Sequence, residues 1–255
     1  MSAPALVDFA GRWVVLTGAS SGLGRAIAIE LTRRSARLLL VGRNEDKLKE
    51  TTRRLPDGSF RVARQDLRQI DALPSLVRDH VQNCGRVYGL CHCAGVVETR
   101  PLASFNANTF KEMLDVNVTS GLELSKAVCR RDVMTEEGGA LLYISSVYGL
   151  VGMPGQATYS ATKGALLALA RALAVELARR QIRVNTLSPG LVRTAMTDGA
   201  LTQLSQEQVG VLESNHPLGV GQPEDVARAA AFLLAPQSGW ITGTDLVIDG
   251  GYTAR

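Results

Sequence analysis

The sequence predicts an α/β protein: a single domain over 1–255, built as a doubly wound, seven-stranded, mainly parallel sheet with helices on both faces. Two observations predict it. Short β-branched or aliphatic runs alternate with longer segments of helical period along the whole chain, the pattern of βαβ units. No fixed period repeats and no low-complexity linker divides the chain, so one sheet takes all the strands. With 255 residues, 45% of them hydrophobic, the chain is long enough for a substantial core.

Taken in order, the first strand is expected near 13–16 and leads directly into Thr17-Gly18-Ala19-Ser20-Ser21-Gly22-Leu23-Gly24 and a helix over 23–34. Strands follow near 37–41, 61–63, 87–93, 140–145, 183–187 and 245–248. Helices near 45–55, 70–81, 109–134, 157–178 and 224–234 separate them. In such a sheet ligands bind beyond the carboxyl ends of the strands. Residues 190–222 break the alternation with two glycine-flanked stretches around a weakly helical segment and are read as a substrate lid. Met196, Leu201, Leu204, Val209, Val211 and Leu212 offer it an apolar face.

The net charge of +4 is concentrated: residues 25–64 hold eleven Lys/Arg against five Asp/Glu. Such a basic quarter attracts phosphate-bearing molecules. No nucleic-acid-binding motif accompanies it, and no nucleic-acid partner is expected. The N-terminal segment has neither the basic start nor the apolar run of a secretory signal, and the apolar stretch 164–178 is broken by Arg171 and Glu176. A cytoplasmic protein without membrane association is therefore expected. Cys84, Cys91, Cys93 and Cys129 are too few for a disulfide framework and are expected as thiols.

The glycine turn carries the first chemistry. Gly18, Gly22 and Gly24 allow a tight turn and close approach of backbone to a pyrophosphate, with Ser20, Ser21 and Leu23 between them opening a helix whose unpaired N–H groups and dipole favour anions. In NAD sites of this type the second strand ends in an acid that accepts from the ribose 2′-hydroxyl. Here it ends Val41-Gly42-Arg43-Asn44. The planar donor fork of Arg43 suits a 2′-phosphate, so NADP(H) is expected over NAD(H).

Of the five tyrosines, only Tyr159 has a lysine four positions on, at Lys163. On a helix that spacing puts both side chains on one face. A neighbouring ammonium favours phenolate, so the reading expects a tyrosine of lowered pKa suited to proton transfer.

These residues resemble the one-domain branch of the short-chain dehydrogenase/reductase family, whose fold is a Rossmann sheet. The resemblance runs from the glycine turn through Tyr159-Ser160-Ala161-Thr162-Lys163 and Ser188-Pro189-Gly190 to Ile248-Asp249-Gly250-Gly251-Tyr252. It implies that Tyr159 exchanges a proton with the substrate oxygen as hydride passes to or from nicotinamide. Lys163 would hold the nicotinamide ribose, Ser146 would hydrogen-bond the carbonyl, and Asn117 would hold a water in the proton relay. Asp66 and Leu67 would meet the adenine, and Cys93, Ala94 and Gly95 the adenosine ribose. Pro189, Gly190, Val192 and Thr194 would flank the nicotinamide. The chain departs from the family at Cys91-His92-Cys93-Ala94-Gly95, where two asparagines usually precede the Ala-Gly and tie the central strands together. Cys91 and Cys93 face one side of a strand and His92 the other, so no metal site is expected.

Within the family the resemblance is strongest to 3-oxoacyl thioester reductases and related ketoreductases, with a small carbonyl or alcohol substrate. An acyl-carrier-protein or coenzyme A thioester is one candidate; a sugar-, polyol- or steroid-alcohol is the alternative. Glu136-Glu137 stands where carrier-protein reductases tend to present a basic residue, although Arg130, Arg131, Arg179 and Arg180 are expected nearby. A cofactor-binding protein without catalysis has no chemical reason to keep Asn117, Ser146, Tyr159 and Lys163 together. A homotetramer is implied, pairing through helices 109–134 and 157–178, with Ala161, Ala165, Ala168 and Ala172 either meeting a second copy or packing on the sheet.

Overall fold

The computed structural model describes residues 8–202 and 205–254, and the side chains of Met196, Ala200, Leu201 and Gln208 are outside the described ones. Of the expected lid residues, Met196, Leu201 and Leu204 therefore lie outside the described set. Seven strands form one sheet: β1 Trp13–Thr17, β2 Arg37–Gly42, β3 Phe60–Arg64, β4 Val87–His92, β5 Gly139–Ile144, β6 Ile182–Pro189 and β7 Asp245–Ile248. Their order is β3-β2-β1-β4-β5-β6-β7. Every pairing is parallel, where the sequence reading allowed for a mixed sheet.

Both faces of such a sheet are covered, which is why its strands read as continuous apolar runs. Val14 and Leu16 of β1, with Leu38 and Leu40 of β2, point into a core under α1 (Gly22–Arg33) and α9 (Pro223–Leu234), joined by Leu48 of α2 (Glu45–Thr52). Val15, Leu39 and Val41 point the other way, under α3 (Leu73–Cys84), α5 (Ser120–Val128) and α6 (Ala157–Leu177). The chain winds outward from β1 to β3 and then crosses back to place β4 beside β1. The carboxyl ends of those two strands are therefore the switch point where a ligand crevice opens.

Four boundaries differ from the sequence reading. The single helix expected over 109–134 is α4 (Ala107–Leu114), a π-turn over Asp115–Thr119, and α5, which stops at Val128. The π-turn holds Asn117, fully buried, whose amide bonds Val96 and Thr162; one extra residue in the turn aims it there. Beyond α5 the chain curls back so that Met134 pairs beside Val87. Secondly, β4 ends at His92, before Cys93. Thirdly, the helix expected to reach residue 55 ends at Thr52, ahead of Pro56. Fourthly, the expected lid contains two short helices, α7 (Ala195–Leu201) and α8 (Gln206–Ser214), and a bridge from Val192 to Gly221.

One buried charge braces the carboxyl half of the sheet. Arg183, in β6, donates to the carbonyls of Leu233, Leu234 and Ala235 at 2.7, 3.1 and 3.0 Å, so a guanidinium caps the carboxyl end of α9. Cations are favoured there, and the last-turn carbonyls have no partner within the helix. Arg183→Met is expected to cost about 3 kcal/mol or more by leaving those carbonyls buried and unpaired. At about 2–4 °C per kcal/mol for a chain of this size, thermal denaturation should show Tm falling by roughly 6–12 °C. A fall below about 2 °C would show that the cap contributes little.

Candidate active site

The turn after β1 is built by steric exclusion. Gly18 has φ +70°, and a Cβ on it would stand 2.8 Å from the Ala94 nitrogen. A Cβ on Gly24 would stand 2.2 Å from the Gly18 carbonyl oxygen. Only glycine lets the turn, the start of α1 and the loop after β4 come this close. Thr17 clasps the two loops: its hydroxyl oxygen accepts from the Ala94 N–H at 3.1 Å and lies 3.0 Å from His92 Nδ1. The first turn of α1 holds no acid, and its N-cap Ser21 makes no side-chain capping bond. Its N–H groups thus face the cleft as an anion cradle.

A cleft of about 520 Å³ runs from this turn across the carboxyl ends of the strands. It is lined by Gly18, Ser20, Ser21, Gly22, Leu23 and Gly24 on one side, and by Arg43, Asp66, Leu67, Cys93, Ala94 and Gly95 along the floor. Ser146, Tyr159, Lys163, Pro189, Gly190, Val192 and Thr194 close the other end. Every residue expected to catalyse or to hold the cofactor thus borders this one cleft except Asn117. Arg43 is exposed at its rim, and the Arg68 side chain, reinforced by Arg43, holds the Asp66 carboxyl below the usual carboxylate range. Lys47, one turn into α2, faces the same space, and Asn44 caps that helix by accepting from the Lys47 N–H. The sequence reading passed over Lys47 because a lysine in a charged run looks like solvated surface; its signal was the one-turn offset from Arg43. Thr197 was also missed: it accepts from the Thr194 N–H and donates to the Val192 carbonyl, fixing the loop that carries Val192 and Thr194.

At the reacting end, α6 presents Tyr159 and Lys163 to the cleft from one face. The lysine is 4% exposed; its ammonium donates to the Ile144 carbonyl at 2.8 Å and lies 5.5 Å from the Tyr159 ring centre. Burial pushes its pKa down to about 8. The expectation of a lowered tyrosine pKa is corrected here: burial pushes the Tyr159 phenol up to about 12, against the opposing pull of the facing Ser146 hydroxyl. Removal from water costs both charged forms more than their mutual attraction returns at this distance. Ser146, just past β5, accepts from the Tyr148 N–H at 3.3 Å. Ser145 instead donates to the Lys163 carbonyl and anchors α6. The Asn117 side chain is spent within the protein: Oδ1 accepts from the Val96 N–H at 2.8 Å, and Nδ2 donates to the Val96 carbonyl and to Thr162 Oγ1. Thr162 in turn donates to the Tyr159 carbonyl.

A glycine turn that excludes any side chain, an open helix N-terminus, two rim cations and a buried Tyr/Lys pair form a donor set that fits an extended nicotinamide dinucleotide. Comparison with known proteins agrees. Residues 18–253 match the family model described as enoyl-(acyl carrier protein) reductase. The 3-oxoacyl-[acyl-carrier-protein] reductase FabG of Rickettsia bellii is 32% identical over 247 residues, 96% of this chain and 98% of its own. The 3-oxoacyl-[acyl-carrier-protein] reductase of Mus musculus is 35% identical over 235 residues, 92% of this chain and 94% of its own. A crystal structure of a short-chain type dehydrogenase/reductase from Mycobacterium marinum superposes with a TM-score of 0.89 at 30% identity, covering 98% of each chain. By sequence and by fold, the chain belongs to the short-chain dehydrogenase/reductase family of oxidoreductases.

Proposed function

We propose that the protein is an NADP(H)-dependent ketoreductase acting on 3-oxoacyl thioesters. The observation that carries this reading is one cleft with Ser146, Tyr159 and Lys163 at one end and Arg43 and Lys47 at the other. The acyl-thioester class rests on the names of the relatives. A free-standing sugar-, polyol- or steroid-alcohol is the alternative substrate.

The bound nicotinamide would supply or take the hydride, and the remaining work falls on side chains. In reduction the Tyr159 O–H gives its proton to the carbonyl oxygen, while the Ser146 hydroxyl donates a hydrogen bond to the charge developing there. Lys163 holds the nicotinamide ribose. Asn117 is proposed to hold a water of the proton relay, its side-chain amide being engaged by Val96 and Thr162. The N-terminal turn of α1 holds the pyrophosphate, Arg43 and Lys47 the 2′-phosphate, and Asp66, Leu67 and Cys93 to Gly95 the adenosine. Residues 190–222 act as the lid, since Pro189, Gly190, Val192, Thr194 and Thr197 border the cleft. Among the described residues no helix is long and apolar enough to cross a membrane, and the four cysteines are unpaired; both support a cytoplasmic setting.

Oxidation of NADPH followed at 340 nm with a 3-oxoacyl thioester, and with ketones lacking the thioester, tests the activity and the substrate class together. Tyr159→Phe is expected to lower kcat by about 10²–10⁴, the range for losing a general acid, with the cofactor Kd little changed. Because the phenol is protonated well above neutrality, reduction should not rise with pH from 6 to 9: it should stay level below about 7 and fall as the Lys163 ammonium loses its proton near 8. Oxidation needs the phenolate and should rise with pH over the same span. The opposite slopes would refute the assignment.

Arg43→Asp should reverse cofactor choice, weakening NADPH about tenfold or more through loss of a charge-assisted fork. Equal losses for NADH and NADPH would instead place Arg43 outside the phosphate contact.

A homotetramer is the proposed assembly. Ala161, Ala168 and Ala172 of α6 face outward rather than onto the sheet, Val175 is 81% exposed, and Trp240, just ahead of β7, is fully exposed. Light scattering should give four times the chain mass; a monomer would overturn this.

A further inference from the structure

The sequence feature left unused by this chemistry is Cys91-His92-Cys93. His92, at the end of β4, is 1% exposed, and its ring is wedged between the sheet and the helix that carries the π-turn. Thr17 Oγ1 accepts from the Ala94 N–H and shares a hydrogen bond of 3.0 Å with His92 Nδ1. The other ring nitrogen, Nε2, has no hydrogen-bond partner among the described residues, and the backbone acceptors of Val116 and Asn117 in the π-turn face the ring. Burial, with the nearby Lys163 charge, holds the pKa down to about 4, so the ring is neutral at physiological pH.

The far edge of the ring meets Gly121, one residue into α5. A Cβ at 121 would stand 2.8 Å from His92 Cδ2 and 3.1 Å from Nε2, closer than side chains pack. The imidazole at 92 and the missing side chain at 121 are thus two halves of one volume. This volume lies directly behind the π-turn whose Asn117 bonds Val96 and Thr162, next to Tyr159 and Lys163.

We propose that His92, seated against Gly121, is a positioning residue: together they hold the π-turn in the register that locks Asn117 between the loop after β4 and α6, and so fix the proton-transfer end of the cleft. The effect on turnover rests on the reading under Proposed function; the effect on the π-turn does not. A residue acting this way touches neither substrate nor cofactor. Its loss should lower kcat and leave cofactor affinity unchanged, and a compensating volume at 121 should restore it.

The test compares wild type with His92→Asn, Gly121→Ala and the double variant, by kcat, by cofactor Kd from NADPH fluorescence, and by amide hydrogen exchange over residues 115–122. Each single variant is expected to lose at least tenfold in kcat and to exchange at least tenfold faster over that segment. The double variant should return within threefold of wild type in both, and cofactor Kd should stay within threefold throughout. Exchange is read without substrate, so a wild type that turns nothing over refutes the proposed function while leaving this inference decided by exchange alone. Should Gly121→Ala not fold, His92→Asn and the double variant carry the comparison. A His92→Asn protein with wild-type kcat and exchange overturns the proposal, as does a double variant no better than His92→Asn.

Discussion

The close approach of two loops at the carboxyl ends of β1 and β4 is the constraint on which the rest depends. Gly18 passes Ala94 so tightly that a single methyl would collide with backbone, and Thr17 ties the loops together from below. The sheet order makes these strands neighbours although some seventy residues separate them. From that contact follow the direction of α1, which aims its open N-terminus along the crevice, and the course of the loop through Gly95. A Cβ on Gly95 would lie 3.4 Å from Lys163 Nζ and 3.5 Å from Asn117 Oδ1. One glycine-lined seam thus fixes the glycine-turn end and the Tyr159 end of the cleft relative to each other.

Much of this was legible in the chain. The βαβ alternation survives reading because parallel strands covered on both faces must be apolar throughout, as Val14 to Leu16 and Leu38 to Val41 are. The glycine turn was legible because its position between a strand and a helix allows few other uses. Tyr159 and Lys163 were legible because a four-residue offset on a helix has only one spatial meaning.

What was not legible depends on partners distant in sequence. The π-turn hid inside an apolar helical pattern, since one inserted residue shifts the phase of that pattern only slightly while Val116, Val118 and Leu124 keep it greasy; its cause is the demand of Asn117 for Val96 and Thr162. Arg183 stood at the expected start of a strand with nothing to mark its role, yet it caps a helix fifty residues on. Lys47 was one cation among eleven in the basic quarter until β2 and α2 set it at the cleft rim. In each case the residue type was visible and its partner was not.

The protonation of Tyr159 and Lys163 is the clearest case of burial overruling proximity. Side by side in water, an ammonium would make a phenol a stronger acid. In this fold both are withdrawn from solvent, so the phenol moves up to about 12 and the ammonium down to about 8. The protein therefore favours the uncharged tyrosine over the phenolate–ammonium pair; among the described residues no carboxylate bonds Lys163, whose ammonium instead donates to the Ile144 carbonyl. A protonated phenol is what carbonyl reduction consumes, whereas alcohol oxidation must first remove that proton. The same low-polarity wall that closes this end of the cleft thus keeps the phenol protonated, which is the form the proposed reduction uses.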